Sequence, residues 1–387
     1  MNNGKYIFAQ IMEFLPNRVF DRIVLKHSGD KYVKHFSCYN HLLCLIFGQL
    51  CSRESLRDLT IIVKAHQSKM YHLGFGKNVS RSNLSKANER RSYEIFEEFA
   101  YHLIGVAQSK NKNENFEIKG KIYAFDATTI DLCLSVFKWA NFRKKKAGIK
   151  LHTQFEISTQ LPVFIYFTVA NVHDVKAMDF IIYERGAYYI FDKAYIDFLR
   201  LFSITKVGAF FVIRAKINLK WRRIYSSKTD KLNGVLLDQI GKLTHKKTLE
   251  SYPEKLRKIK YYDEQTKKTF IFLTNNFELT ALQIALLYKQ RWQIELFFKW
   301  IKQHLKIKTF WGTSENAVRI QINIAIITFC LISIISKDLK INRTNYEVLQ
   351  ILSMSLLDKT PINELLMKTD NNNVNEHNTN QLVFNLF

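Results

Sequence analysis

Acidic residues are scarce in this 387-residue chain: 34 Asp and Glu stand against 58 Lys and Arg, a formal net charge of +24. So few acids leave a polyanion as the expected partner, with nucleic acid ahead of a membrane surface or an acidic protein. Cysteine is scarce too. The five, Cys38, Cys44, Cys51, Cys133 and Cys330, are odd in number and contain no CxxC pair, which argues against a disulfide framework and a zinc site alike. Cys38, Cys44 and Cys51 recur at near-helical intervals among leucines and read as buried small hydrophobes in a reducing cytoplasm. The start, "MNNGKYIFAQ", lacks the charged and apolar regions of a secretory signal. The longest apolar run, 323–336, is about fourteen residues, short of the roughly 20 that a bilayer needs. It reads as a buried core helix, so no membrane partner is expected and a cytoplasmic protein is.

What is present is a sizeable hydrophobic fraction, 47%, enough for two or three domains with a real core. Residues 1–110 carry apolar positions at three- and four-residue spacing and predict a helical N-terminal region. Within it, "NVSRSNLSKANERRS" (78–92) reads as a short basic helix capped by Ser80 or Ser82. Arg81 and Lys86 would face DNA there, as in the second half of a helix-turn-helix. The polar stretch 109–121 reads as a linker. From 118 to 216 the period shortens: short β-branched and aromatic runs predict strands over 121–132, 148–158, 161–172, 186–197 and 208–216. Two of them flank Gln160-Leu161-Pro162 as a hairpin. A helix capped by Asp174 is expected over 174–184, and another at "FLRLFSIT". The order predicts a mixed α/β sheet with helices on its faces. Residues 217–270 read as a β-rich insertion, 271–340 as helical, and 341–387 as a helical tail ending in an Asn-rich disordered stretch.

The stretch "YKQRWQIELFFKWIKQHL" (288–305) puts one acid among apolar and basic residues. Drawn as a single helix, Tyr288, Arg291, Glu295, Lys299 and Lys302 fall within roughly 80° of one another. Leu286, Ile294, Leu296, Phe297, Trp300, Ile301 and Leu305 occupy the rest, predicting a helix buried over most of its circumference with one narrow polar stripe. A lone carboxylate cannot hold a catalytic divalent cation. Asp126, after "IYAF", and Asp192, after "YYIF", each close an apolar run of strand type, where aspartate is disfavoured. These three are the candidate metal ligands. Asp131 and the pair His173-Asp174 read as structural, and "FRKKKAGIK" (142–150) as a charge run that suits a DNA backbone.

Tyr288, Arg291, Glu295 and Lys302 have the spacing Y-(2)-R-(3)-E-(6)-K. Together with "FDATTIDL" and "FDKAY" they resemble the DDE transposases of the IS-four family of bacterial insertion sequences. Ala194 stands where many members carry glycine. The resemblance implies an RNase H-like core interrupted by a β-rich insertion, with two Mg²⁺ ions (Mn²⁺ substituting) on Asp126, Asp192 and Glu295. It implies Tyr288, Arg291, Lys299 and Lys302 near the phosphates. It also implies binding of terminal inverted repeats and target DNA by a homodimer in a synaptic complex, with cleavage at the element ends and joining of the 3′-OH ends. Trp221, in the insertion, is the candidate to stack on an extruded base, with Trp292 and Trp311 as competitors. The rival expectations are a metal-dependent nuclease on the same core and a DNA-binding protein without catalysis.

Overall fold

The computed structural model describes residues 4–76, 79–111, 118–143, 146–216, 219–304 and 309–367. It is a mixed α/β structure in which one large sheet is flanked by helical ends. The Asn-rich stretch 369–382 and the middle of the 109–121 linker lie outside the described residues.

Ten strands form the sheet. They are β1 (Ile122–Leu132), β2 (Asn141–Arg143), β3 (Lys146–Glu156), β4 (Leu161–Val169), β5 (Tyr188–Phe191), β6 (Phe210–Arg214), β7 (Trp221–Ser226), β8 (Val235–Leu243), β9 (Leu256–Asp263) and β10 (Lys268–Thr274). The spatial order is β2-β3-β1-β5-β6-β10-β9-β8-β7, with β4 also paired to β3. β1, β5 and β6 run parallel to one another, and β3 and β4 complete that half as antiparallel partners. The basic segment after β6 does not fold away from this sheet. It continues it, because β10 pairs antiparallel with β6.

Alternation along β1 assigns its two faces. Ile122 and Ala124 join Ile190 and Val212 in one core cluster, while Tyr123 and Phe125 join Tyr189, Phe191 and Phe211 in the other. The first cluster is the larger and merges with the N-terminal helices. At its heart lie the helix Cys38–Leu50, capped by Ser37, and the helix Glu315–Asp338. The latter exceeds the expected fourteen residues: it has 24, with mean hydropathy 2.1, long enough to cross a bilayer. Yet 89% of its apolar stretch is buried inside the protein, so it is the core helix. Cys38, Cys44 and Cys330 are buried, Cys51 is half-buried and Cys133 is exposed. Burial pushes the Cys38 thiol up to about 12, the range of an inert core thiol.

Two local expectations are corrected. Residues 174–180 form a 3₁₀ helix and 181–184 lie outside any helix, so the helix expected to 184 stops short. Asp174 caps nothing; its carboxylate pairs with Lys150 at 2.8 Å, a tertiary contact that pattern reading cannot foresee. The hairpin turn precedes Leu161 and Pro162, which are the first two residues of β4, and Gln160 turns the chain with φ 56.

Two histidines are entombed as neutral rings. His41 meets Asn88 Oδ1 at 2.7 Å and His152 meets Thr168 Oγ1 at 2.9 Å, both without solvent exposure. Burial, with Lys150 adding to it and Asp174 opposing, lowers the His152 pKa from 6.5 to about 4. The unfolded chain therefore binds the proton first, so this histidine's contribution is complete above pH 6.5 and is lost as pH falls toward 4. Between pH 7 and 5 the wild type is expected to lose about 2 kcal/mol more stability than His152→Gln in urea titrations. Equal losses would refute the neutral, buried ring.

Candidate active site

β1 and β5 are parallel with Ile122 opposite Tyr188 and Phe125 opposite Phe191, and the next positions in that register are Asp126 and Asp192. The aspartates thus sit side by side on neighbouring strands, at the end where β5 stops. Their contexts differ from the expected pair of strand ends. Asp192 does lie just past β5, but Asp126 is inside β1, paired across to Thr153, and the strand runs on to Leu132. By alternation Asp126 falls on the Ile122–Ala124 face, the one covered by the helices that follow β10.

Those helices are two, where one was expected. The first, Ala281–Lys289, opens with a capping box between Thr280 and Gln283, and the second is Trp292–His304. Between them Gln290, Arg291, Gln293 and Ile294 donate to carbonyls three residues back, so the turn tightens and Arg291 stands at the junction. Phe297 anchors the second helix against Phe155 and Phe329. Leu286 and Leu296 were expected to be buried and are 45% and 49% exposed.

The junction delivers the polar side chains to the strands. Tyr288, packed on Phe272 at 4.6 Å, donates its hydroxyl to Asp192 Oδ1 at 3.2 Å. Arg291 forks: Nη1 donates to Asp126 Oδ2 at 2.8 Å and Nη2 lies 2.6 Å from Glu295 Oε1. The second Asp126 oxygen accepts from the Ala127 N–H at 2.8 Å. Lys302 reaches back to β1 and donates to the Thr129 carbonyl at 2.8 Å. Lys299 is exposed on the same helix.

Burial raises the Asp126 carboxyl to about 6; Arg291 and the Ala127 N–H pull it down, while Glu295 and Asp192 push it up. That Glu295 and Asp192 both act on Asp126 marks the three carboxylates as one electrostatic group. Burial opposes the Arg291 charge, but Tyr288, Asp126 and Glu295 outweigh it and hold the guanidinium above its ordinary pKa. Burial, aided by Asp192, lifts the Tyr288 phenol to about 12.

Hard carboxylate oxygens are the donor set that Mg²⁺ or Mn²⁺ takes, so the chemistry of the site fits such ions. No group of three or more His, Cys, Asp and Glu among the described residues is gathered closely enough to ligate one ion. Arg291 stands between two of the carboxylates. The site also lies away from a cavity of about 810 Å³ on the other flank of the second helix, lined by Gln293, Leu296 and Trp300.

A family model for the transposase DDE domain matches residues 117–331, more than half of the chain. The chain belongs to the DDE transposases. A domain of unknown function matches residues 3–76. A protein of Sinorhizobium fredii described as a transposase is 34% identical over 69% of this chain and 74% of its own length. A Geobacillus stearothermophilus protein, described as the transposase for insertion sequence element IS5377, is 26% identical over 65% of this chain and 66% of its own. One from Synechocystis, described as the transposase for IS4SA, is 24% identical over 73% and 80%. Among solved structures, a piggyBac transposase synaptic complex with hairpin DNA aligns over 96% of this chain and 84% of its own, at 11% identity and a TM-score of 0.47.

The other candidates of this transposase lie elsewhere. Arg81 and Lys86 are exposed on the helix Arg81–Arg90, whose Leu84, Ala87 and Asn88 are buried. The helix Gln67–Met70 and the 3₁₀ turn Tyr71–Leu73 lie between it and the ten-residue helix Leu56–Ala65. Trp221 lies across Gly241 of β8, where an added Cβ would meet its ring at 2.7 Å, and Lys258 covers it at 5.0 Å. Trp311 is buried and donates to the Arg53 carbonyl; Trp292 is 52% exposed. Asp131 faces Gly148 in the β1–β3 ladder. Of the basic run 142–150, residues 144–145 lie outside the described residues, and Lys150 is committed to Asp174 and the Val172 carbonyl.

Sequence reasoning assigned no role to Tyr195, the last residue of "FDKAY". Its buried hydroxyl has no hydrogen-bond partner among the described residues, and burial with Asp126, Asp174 and Asp192 raises its pKa. Its place in the motif beside Asp192 was the available signal.

Proposed function

We propose that this transposase binds the terminal inverted repeats of an insertion sequence, cuts DNA at the element ends and joins the freed 3′-OH ends to target DNA. Asp126, Asp192 and Glu295 serve as its catalytic carboxylates. The observation that carries this reading is the meeting of the strand aspartates with the helix: Arg291 touches Asp126 and Glu295 while Tyr288 touches Asp192. The half-sheet order β4-β3-β1-β5-β6, with β1, β5 and β6 parallel, supports an RNase H-like core, in which β7–β10 and their connections form the inserted β-rich part. The spacing of Tyr288, Arg291, Glu295 and Lys302 supports placement in the IS-four group with its YREK signature.

The reaction is in-line attack on a phosphodiester by water or a 3′-OH. Mg²⁺ ions held by Asp126, Asp192 and Glu295 would supply an activated nucleophile and stabilise the leaving oxygen, with Mn²⁺ as a substitute. Arg291 offers a planar fork for phosphate oxygens and Lys302 a point charge beside β1. Tyr288 orients the Asp192 carboxylate through its hydroxyl. Lys299, Arg81 and Lys86 add backbone contacts whose strength falls with salt, and Trp221 or the exposed Trp292 stacks on an unpaired base. Two ends must be processed together, so the working form is a dimer on paired ends.

The test is incubation of the full chain with a duplex bearing the element's own end, with and without Mg²⁺, followed by addition of target DNA. Cuts at the element boundary that need the cation, followed by joined products, support the proposal. Cuts without joining favour a nuclease, and binding without cuts favours a DNA-binding protein.

A further inference from the structure

Arg291 holds the position that a divalent cation would contest. Its guanidinium bonds Asp126 at 2.8 Å and Glu295 at 2.6 Å, and its side chain is 16% exposed. A divalent cation on the same carboxylate oxygens would stand within a few ångströms of the guanidinium and be repelled by it, so the two compete for Asp126 and Glu295. The third donor of the fork, the Nε–H, is buried and meets no acceptor among the described residues. A buried N–H without an acceptor costs about 1–3 kcal/mol, so the arrangement is complete on two sides and unfinished on the third. A phosphate presents several oxygens in the geometry an arginine fork matches, and can take up the Nε–H together with an Nη–H. Arg291 also stands at the junction of two helices, where a small change in backbone angles swings the side chain more readily than inside a helix. Lys302, by contrast, donates to the Thr129 backbone carbonyl on β1.

We propose that Arg291 is a substrate-operated latch: in the DNA-free protein it occupies Asp126 and Glu295 against divalent cations, and a phosphate of the bound DNA draws it away and opens both carboxylates. The proposal rests on the reading of these carboxylates as the metal site. It makes cation binding and DNA binding mutually reinforcing, since linkage is reciprocal, and it leaves the DNA-free protein a poor nuclease. Lysine is the poorer substitute, because its ammonium lacks the planar fork that phosphate oxygens match.

The experiment is calorimetric titration of Mn²⁺ into the full chain, alone and bound to a pre-cleaved duplex of the element end, so that no cutting intervenes. Wild type is expected to bind Mn²⁺ about tenfold or more tightly with the duplex present, within the usual range of allosteric coupling. Arg291→Gln is expected to bind Mn²⁺ tightly without DNA, with less than about a threefold further gain from the duplex. A duplex effect of equal size in wild type and variant would overturn the latch, since removing one positive charge raises cation affinity but leaves the coupling intact. Asp126→Asn and Glu295→Gln separate the two readings. If they abolish Mn²⁺ binding while the coupling is the same in wild type and Arg291→Gln, the metal site stands and the latch falls. If they bind Mn²⁺ as wild type does, both fall.

Discussion

Glu295→Gln is expected to cut the element end about 10³-fold more slowly than wild type while binding the same DNA, in the absence of divalent cation, with unchanged affinity. The substitution keeps the shape of the side chain and removes one hard anionic donor. Several kcal/mol of transition-state stabilisation depend on the cation being held and charged correctly, and about 4 kcal/mol corresponds to that factor. Arg291 retains its bond to Asp126 in the variant, so the helix junction keeps its tie to β1. Gel-shift affinity and single-turnover cleavage, measured on one preparation, separate the two effects. Cleavage within tenfold of wild type would return Glu295 to the role of an i,i+4 ion-pair partner for Arg291.

The second large effect concerns stability. Arg257 on β9 and Asp238 on β8 form a two-point ion pair at 2.9 and 2.8 Å, with side chains 9% and 7% exposed. Arg257 also donates to the Leu279 carbonyl at 2.5 Å, just ahead of the helix that carries Tyr288. Asp238→Asn leaves a buried guanidinium with its charge uncompensated, at an expected cost of about 3–5 kcal/mol. Replacing both partners by well-packed apolar residues is expected to cost far less, because no buried charge is then stranded. Urea unfolding of the two variants checks this, and a loss below about 1 kcal/mol for Asp238→Asn would show that water reaches the pair.

The aromatic runs before Asp126 and Asp192 were legible as strands because β1 and β5 are buried on both faces, which yields unbroken apolar segments in sequence. The 66-residue interval between the two aspartates proves to be the register offset of β1 and β5, a relation visible only once the strands are paired. The break at Gln290–Arg291 was hidden, since over a single turn the 3.0 and 3.6 periods place apolar residues almost alike. Leu286 and Leu296 show the converse limit: periodicity finds an apolar position but does not say whether any partner covers it. Asp174 and Arg291 owe their placing to Lys150 and Asp126, residues distant in sequence, and no local pattern encodes such pairs.

The central claim, that Asp126, Asp192 and Glu295 gather around divalent cations on bound DNA, is met most directly by iron-mediated backbone cleavage. Fe²⁺ replaces Mg²⁺ in the complex of the full chain with its element end, ascorbate and peroxide generate radicals at the ion, and mass spectrometry maps the peptide cuts. Cuts clustered at β1 near 126, at the end of β5 near 192 and at the helix near 295, all suppressed by excess Mg²⁺, are the expected result. Cuts confined to other segments, or a pattern indifferent to Mg²⁺, would contradict it.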